Sequence, residues 1–204
     1  MIDAIPLICR TPLHPDDLKG GSGFLFSGDN GKWIVTAAHN AIGAKADEDY
    51  SRWANKITVF AVEEMGFTLS LFEDGEPTFN HIAPIDGVKP DMIAISAPED
   101  WFNKCAETFR VFTKSDVGSV ADGDNVTAWG YAADAPSWPT LSSVTGKATL
   151  GTFRVFFDAD LKGGFSGGPL LNDDRKLVGL VDSADAGSRG YSYDAAFVVG
   201  ALRL

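Results

Sequence analysis

Cysteine is scarce: two residues, Cys9 and Cys105, in a chain of 204. A disulfide-stapled scaffold is excluded, because small secreted domains of that kind need several bridges. One bond between the two thiols stays open, but a pair of buried free thiols in a reducing compartment suits the count better. Basic residues are also short, with 17 Lys and Arg against 28 Asp and Glu, a formal charge of −11. Such a surface repels phosphate, which argues against nucleic acid and anionic membranes as partners. It favours solubility and, mildly, basic peptides. No run of 18 apolar residues occurs, so no membrane-spanning helix is expected. The start Met1-Ile2-Asp3-Ala4-Ile5-Pro6 has no basic segment leading into a long apolar one. An intracellular chain, or the excised domain of a longer protein, is the expectation.

Metal-ligand spacing is missing too. Neither H-E-x-x-H nor C-x-x-C is present, so no metal and no cofactor is expected, and His14 and His81 fit no zinc pattern. Gly20-Gly21-Ser22-Gly23 is no phosphate loop, because no G-K-[ST] follows it. The sequon Asn125-Val126-Thr127 would go unused in an intracellular chain.

What is present points to β-structure. The chain is 45% hydrophobic with 14 Phe and 5 Trp, enough to fill a core. Its 22 Gly and 10 Pro punctuate short runs rich in β-branched and aromatic residues. Strands are predicted over Ile5–Cys9, Gly23–Phe26, Lys32–Thr36, Ile57–Val62, Phe67–Phe72 and Met92–Ser96. A second set covers Val126–Tyr131, Ser143–Leu150, Phe153–Phe157, Pro169–Leu171, Leu177–Val181 and Tyr191–Phe197. A short helical turn is expected at Ala38–Ala46, and a partly helical crossing segment at 98–112.

Three segments carry chemistry. Lys162 to Leu171, K-G-G-F-S-G-G-P-L-L, sets Ser166 among glycines ahead of an apolar run. Glycines permit a sharp turn and bring backbone N–H groups close to a reactant. An exposed hydroxyl beside such donors is what acyl transfer asks for. Thr36-Ala37-Ala38-His39 follows the apolar Trp33-Ile34-Val35, and Asp91 opens the apolar Met92-Ile93-Ala94-Ile95. A histidine can take the serine proton, and a carboxylate can hold that histidine in one tautomer. Asp86 is the nearest rival to Asp91. Acids such as Asp47-Glu48-Asp49 and Glu73-Asp74 fall in polar, solvated stretches.

At this point the chain resembles the chymotrypsin-like (trypsin-like) serine peptidases, in the order His39, Asp91, Ser166. The resemblance runs from about Gly21 to Val199. Gly123–Tyr131 resembles the G-x-x-V-x-x-x-G-Y segment that opens the second barrel of bacterial trypsin-like and HtrA-like peptidases, and Asn172–Gly179 resembles their hairpin after the nucleophile. The implied fold is all-β: two six-stranded Greek-key barrels with the site in their cleft. The N-terminal barrel would cover 1–97 and the C-terminal one 113–204, forming a single peptidase unit. The resemblance implies an oxyanion hole from the N–H groups of Gly164 and Ser166. Pocket walls would come from Asp160, six residues before Ser166, and from Asp182, Ser183 and Ala184, with Asp185 beyond. Those acids suit Arg or Lys at the P1 position of a polypeptide substrate; a small apolar P1, as in HtrA-like enzymes, is the alternative.

Two departures bear on regulation. Asn40 stands where secreted relatives place a disulfide cysteine, and Phe165 where they place the aspartate that pairs with a new N-terminus. Activation by N-terminal cleavage is therefore not expected, as in HtrA-like and viral 3C-like peptidases. Restraint would come from narrow specificity, a regulatory partner or further domains. The short stretch before Leu204 leaves little room for the family's C-terminal helix. A catalytically silent fold used as a protein-binding module is the runner-up. An α/β-hydrolase esterase fits poorly, since there the serine precedes the histidine.

Overall fold

The computed structural model describes residues 1–10, 18–42, 55–61, 65–82, 89–132, 139–185 and 189–204. The N-terminal half contributes β1 (Ile5–Arg10), β2 (Leu18–Gly28), β3 (Gly31–Thr36), the one-turn helix α1 (His39–Ile42), β4 (Lys56–Ala61) and β5 (Met65–Ser70). Next come the short β6 (Phe72–Glu73), β7 (Glu76–Pro77) and β8 (Phe79–His81), then β9 (Ile93–Ser96). Helix α2 (Glu99–Ala106) and β10 (Val111–Thr113) carry the chain across. The C-terminal half holds β11 (Asn125–Tyr131), β12 (Leu141–Gly151), β13 (Arg154–Asp158), β14 (Pro169–Asn172), β15 (Leu177–Asp185), β16 (Arg189–Asp194) and α3 (Ala195–Ala201).

Among the described residues, only one of the two expected barrels is closed. β11 to β16 close in the order β11-β12-β13-β16-β15-β14. The N-terminal half is an open eight-stranded sheet, β5-β4-β1-β2-β3-β9-β8, with β10 added parallel to β2. The reason lies at its two edges, β5 and β8. Between them the chain spends its hydrogen bonds on a small β6–β7 hairpin. Thr78 N–H donates to the Leu71 carbonyl at 2.9 Å, and Thr78 Oγ1 donates to the Ser70 carbonyl at 2.7 Å. These bonds fold the chain between the two edges into a local turn, and among the described residues β5 and β8 do not pair.

Alternation along the strands fills the core. Leu25, Ile34, Ile93 and Ile95 face one side of the open sheet, joined there by Trp101, Phe102 and Cys105 of α2. Phe24, Phe26, Trp33, Val35 and Ala94 face the other, against Leu177, Leu180, Tyr193 and Val198 from the barrel side. Both faces are therefore apolar, which explains near-continuous runs such as Trp33-Ile34-Val35. A third cluster, including Val126, Phe157, Phe165 and Leu170, fills the closed barrel.

The last predicted strand needs correction. Residues Ala195–Phe197 are helical, and the C-terminal helix for which little room was expected is present as α3. Asp194 caps it, accepting from Phe197 N–H at 3.0 Å. An N-cap carboxylate followed by two alanines starts a helix more readily than it extends a strand. No helix among the described residues is long and apolar enough to cross a membrane.

Candidate active site

Strand register brings the first two groups together. β3 and β9 are antiparallel, with Thr36 opposite Ile93. The end of β3 and the start of β9 thus share one edge of the sheet. His39 follows β3 by three residues and Asp91 precedes β9 by two. The carboxylate grips His39 at two points: His39 N–H donates to Asp91 Oδ1 at 2.8 Å, and Nδ1 lies 2.5 Å from Oδ2. A short Nδ1–carboxylate contact fixes the proton on Nδ1 and leaves Nε2 to accept. Burial alone would lower the His39 pKa, but the hydrogen bond and charge of Asp91, helped by the charge of Asp182, leave it raised above 6.5.

Asp91 is itself anchored from the barrel. Its N–H donates to Tyr193 Oη on β16 at 2.8 Å. The Tyr193 phenol is held above its ordinary pKa, chiefly by burial, so it stays neutral. Asp86, the rival acid, and His14 lie outside the described residues, as does the acidic run 47–49. His81 is exposed on β8.

Ser166 sits in the turn between β13 and β14 and is half-buried. Its carbonyl oxygen accepts from Ser22 N–H at 3.0 Å and from Asn40 Nδ2 at 2.9 Å. Asn40 also donates to Thr36 Oγ1 at 2.9 Å. Ser22 Oγ donates to the Gly164 carbonyl at 2.7 Å while accepting from Tyr131 N–H at 2.9 Å. A buried polar network thus joins β2, α1, β11 and the serine loop. No hydrogen bond links Ser166 to His39 among the described residues, and neither the Gly164 nor the Ser166 N–H donates to another described group. Two glycines are dictated by geometry. Gly164 has φ +97° and Gly167 φ +87°; a Cβ on Gly167 would lie 2.2 Å from the Ser22 carbonyl oxygen. Phe165 is buried among the barrel side chains, 2% exposed. Full burial of such a ring contributes about 2 kcal/mol toward holding the loop.

The proposed pocket residues separate. Asp160 is exposed, two residues beyond the end of β13. Asp182 instead points at the dyad: polar atoms of His39, Asp91 and Asp182 all lie within 4.8 Å of one another. Its Oδ2 accepts from Arg154 Nη1 at 2.7 Å. These three groups are close enough to enclose a cation, but Asp91 Oδ2 and Asp182 Oδ2 are already engaged by His39 and Arg154. Ser183 is exposed, and Ala184 and Asp185 pair with Gly190 and Arg189 in the ladder. Sequence reasoning missed Ser22, Arg154 and Tyr193. For Ser22 a signal existed, because glycines flanking a strand residue mark close backbone approach. Arg154 and Tyr193 gave none.

A family model for the trypsin-like peptidase domain matches residues 21–180, which include His39, Asp91 and Ser166. The chain belongs to the trypsin-like peptidase domain family. Its hydrolytic function is of the serine-protease type. No curated protein matches the chain by sequence. Among solved structures, the Rv3671c protease of M. tuberculosis in its active form is 17% identical over 98% of this chain and 79% of its own, with a TM-score of 0.61. A thermostable serine protease, AL20, from an extremophilic microorganism is 15% identical over 94% and 90%, TM-score 0.67. The serine endoprotease of Yersinia pestis is 18% identical over 98% of this chain and 61% of its own, TM-score 0.64. At these identities the likeness is one of fold. This trypsin-like peptidase domain departs from the expected family plan in its open N-terminal sheet.

Proposed function

We propose that the chain is a serine endopeptidase acting through His39, Asp91 and Ser166 on polypeptide substrates. Ser166 Oγ attacks the scissile carbonyl carbon while its proton passes to His39 Nε2. His39 returns that proton to the leaving amine, and water, activated by the same imidazole, hydrolyses the acyl-enzyme. Asp91 holds the tautomer and balances the imidazolium. The N–H groups of Gly164 and Ser166, which donate to no other described group, would receive the oxyanion. The single observation that carries this reading is the two-point grip of Asp91 on His39.

Phe165 supports a loop formed without N-terminal cleavage, since its burial replaces an ion pair. One peptidase unit over residues 1–204, with halves 1–97 and 113–204 joined by 98–112, fits the shared core cluster. A basic P1 residue is favoured by Asp160, whose exposed carboxylate stands six residues before Ser166. The binding-module alternative leaves the His39–Asp91 grip without a purpose. Ser166→Ala decides between them. It should abolish peptide hydrolysis and fluorophosphonate labelling while the melting temperature holds; label on a different residue would refute the assignment.

A further inference from the structure

Asp182 occupies an irregular position in its strand. β15 and β16 pair Val181 with Ser192 and then Ser183 with Tyr191, so the register slips at Asp182. A bulge of this kind re-aims the extra side chain. Here the carboxylate turns inward, 13% exposed, to within 4.8 Å of the polar atoms of His39 and Asp91. Arg154 on β13 holds it, donating from Nη1 at 2.7 Å. The same guanidinium lies over the Tyr193 ring, Cζ 3.6 Å from its centroid. Tyr193 in turn receives the Asp91 N–H. Asp182, Arg154, Tyr193 and Asp91 therefore form a chain of contacts, drawn from β15, β13, β16 and the approach to β9, whose two end carboxylates lie within 4.8 Å of each other and of His39.

Charge balance gives the cluster a role. With His39 neutral, Asp91 and Asp182 ionised and Arg154 charged, the cluster carries one net negative charge. When His39 takes up a proton the cluster becomes neutral. Asp182 without Arg154 would stand beside Asp91 as an unbalanced second buried acid, a costly arrangement. Arg154 without Asp182 would leave a half-buried cation without its carboxylate partner and take one negative charge from the surroundings of His39. Burial, then repulsion from Asp91, holds the Asp182 pKa above its ordinary value, with Arg154 and His39 pulling the other way.

We infer that Asp182 is a second carboxylate for His39, aimed by the bulge and held by Arg154, so that two acids stabilise the imidazolium formed in turnover. This rests on the reading of His39 as the base, and it makes Asp182 a positioning residue. The charged groups acting on His39 among the described residues are Asp91 and Asp182; Arg154 is bonded to Asp182, and Tyr193 receives the Asp91 N–H.

The test reads His39 directly, by NMR titration of its imidazole in the Ser166→Ala chain, where no turnover is needed. Asp182→Asn should lower the titration midpoint, and Asp182→Asn with Arg154→Met should give a midpoint between that variant and the parent. In the Ser166 chain, Asp182→Asn should reduce kcat by roughly ten- to hundredfold at constant KM. Adding Arg154→Met should recover part of that loss, because the net charge of the cluster is restored. A structural role alone would give additive losses and an unmoved midpoint. If Asp182→Asn does not fold, the double variant must still titrate below the parent. An unchanged midpoint in the folded variant overturns the inference. Failure of the triad reading would appear elsewhere, as hydrolysis that survives Ser166→Ala.

Discussion

Asn40 Nδ2 donates to the carbonyl oxygen of Ser166 at 2.9 Å, joining the residue after His39 to the serine 126 positions later. The same amide reaches Thr36 Oγ1 at 2.9 Å and the Ser22 carbonyl at 3.3 Å. One buried side chain thus holds the helix bearing the histidine, the strand before it and the serine loop. Removing it takes one donor each from the Ser166 carbonyl, which keeps Ser22 N–H, and the Ser22 carbonyl, which keeps Thr36 Oγ1, a net loss of about 1 kcal/mol. Asn40→Ala should lower the unfolding free energy, read from a denaturant titration, by that much and reduce kcat more than KM changes. Asn40→Asp should be worse, since a carboxylate only accepts. A variant with normal stability and kcat would remove Asn40 from the machinery.

Activity should follow the ionisation of His39. The base must be neutral to accept the serine proton, and its pKa is raised above 6.5 by Asp91 and Asp182 against the opposing effect of burial. kcat/KM should therefore be lost as pH falls through a midpoint above that of free histidine, and should plateau on the alkaline side. Asp91→Asn removes the acid that sets the tautomer and should lower kcat by about 10⁴. A pH–rate profile of each chain measures both effects; an Asp91→Asn chain with near-parental turnover would reassign the acid.

Substrate choice should be only modestly charge-dependent. Asp182 is committed to Arg154, which leaves exposed Asp160 to meet a basic side chain. An exposed pair contributes about 0–1 kcal/mol, so Arg or Lys at P1 should be preferred over Leu by roughly fivefold or less, and Asp160→Ala should erase the difference. Cleavage profiling on matched peptides reads it directly. A preference of several hundredfold would require an enclosed acid that Asp160 is not.

Cys105 is free, 1% exposed on α2. Burial pushes its pKa to about 11, against a small opposing effect of Lys104. The thiolate is then scarce at neutral pH, and a thiolate is what alkylates. Iodoacetamide at pH 7.5 should leave Cys105 unmodified in the native chain and modify it after denaturation. Fast native labelling at Cys105, read by peptide mass spectrometry, would contradict the buried placement.

Where a local pattern places a candidate residue, that placement was legible in the chain. T-A-A-H, D-M-I-A-I and G-F-S-G-G-P each pair a candidate residue with the strand or turn that carries it, and spacing of that sort survives in one dimension. Strand positions followed from alternation and turn residues for the same reason. Closure of a sheet is different, because it depends on whether two edges far apart in sequence meet. Here Thr78 spends its bonds on Ser70 and Leu71, and nothing in the run 70–78 announces that. The Asp194 cap, which turned an expected strand end into α3, was visible only as one acid among many. Asp182 is the sharpest case. Its sequence neighbours mark it as a strand residue beside a pocket, while a one-residue slip against β16 sends its carboxylate to His39. Side-chain direction in a strand reverses with each residue, so the sequence could name the acid, and only the register decided which site it serves.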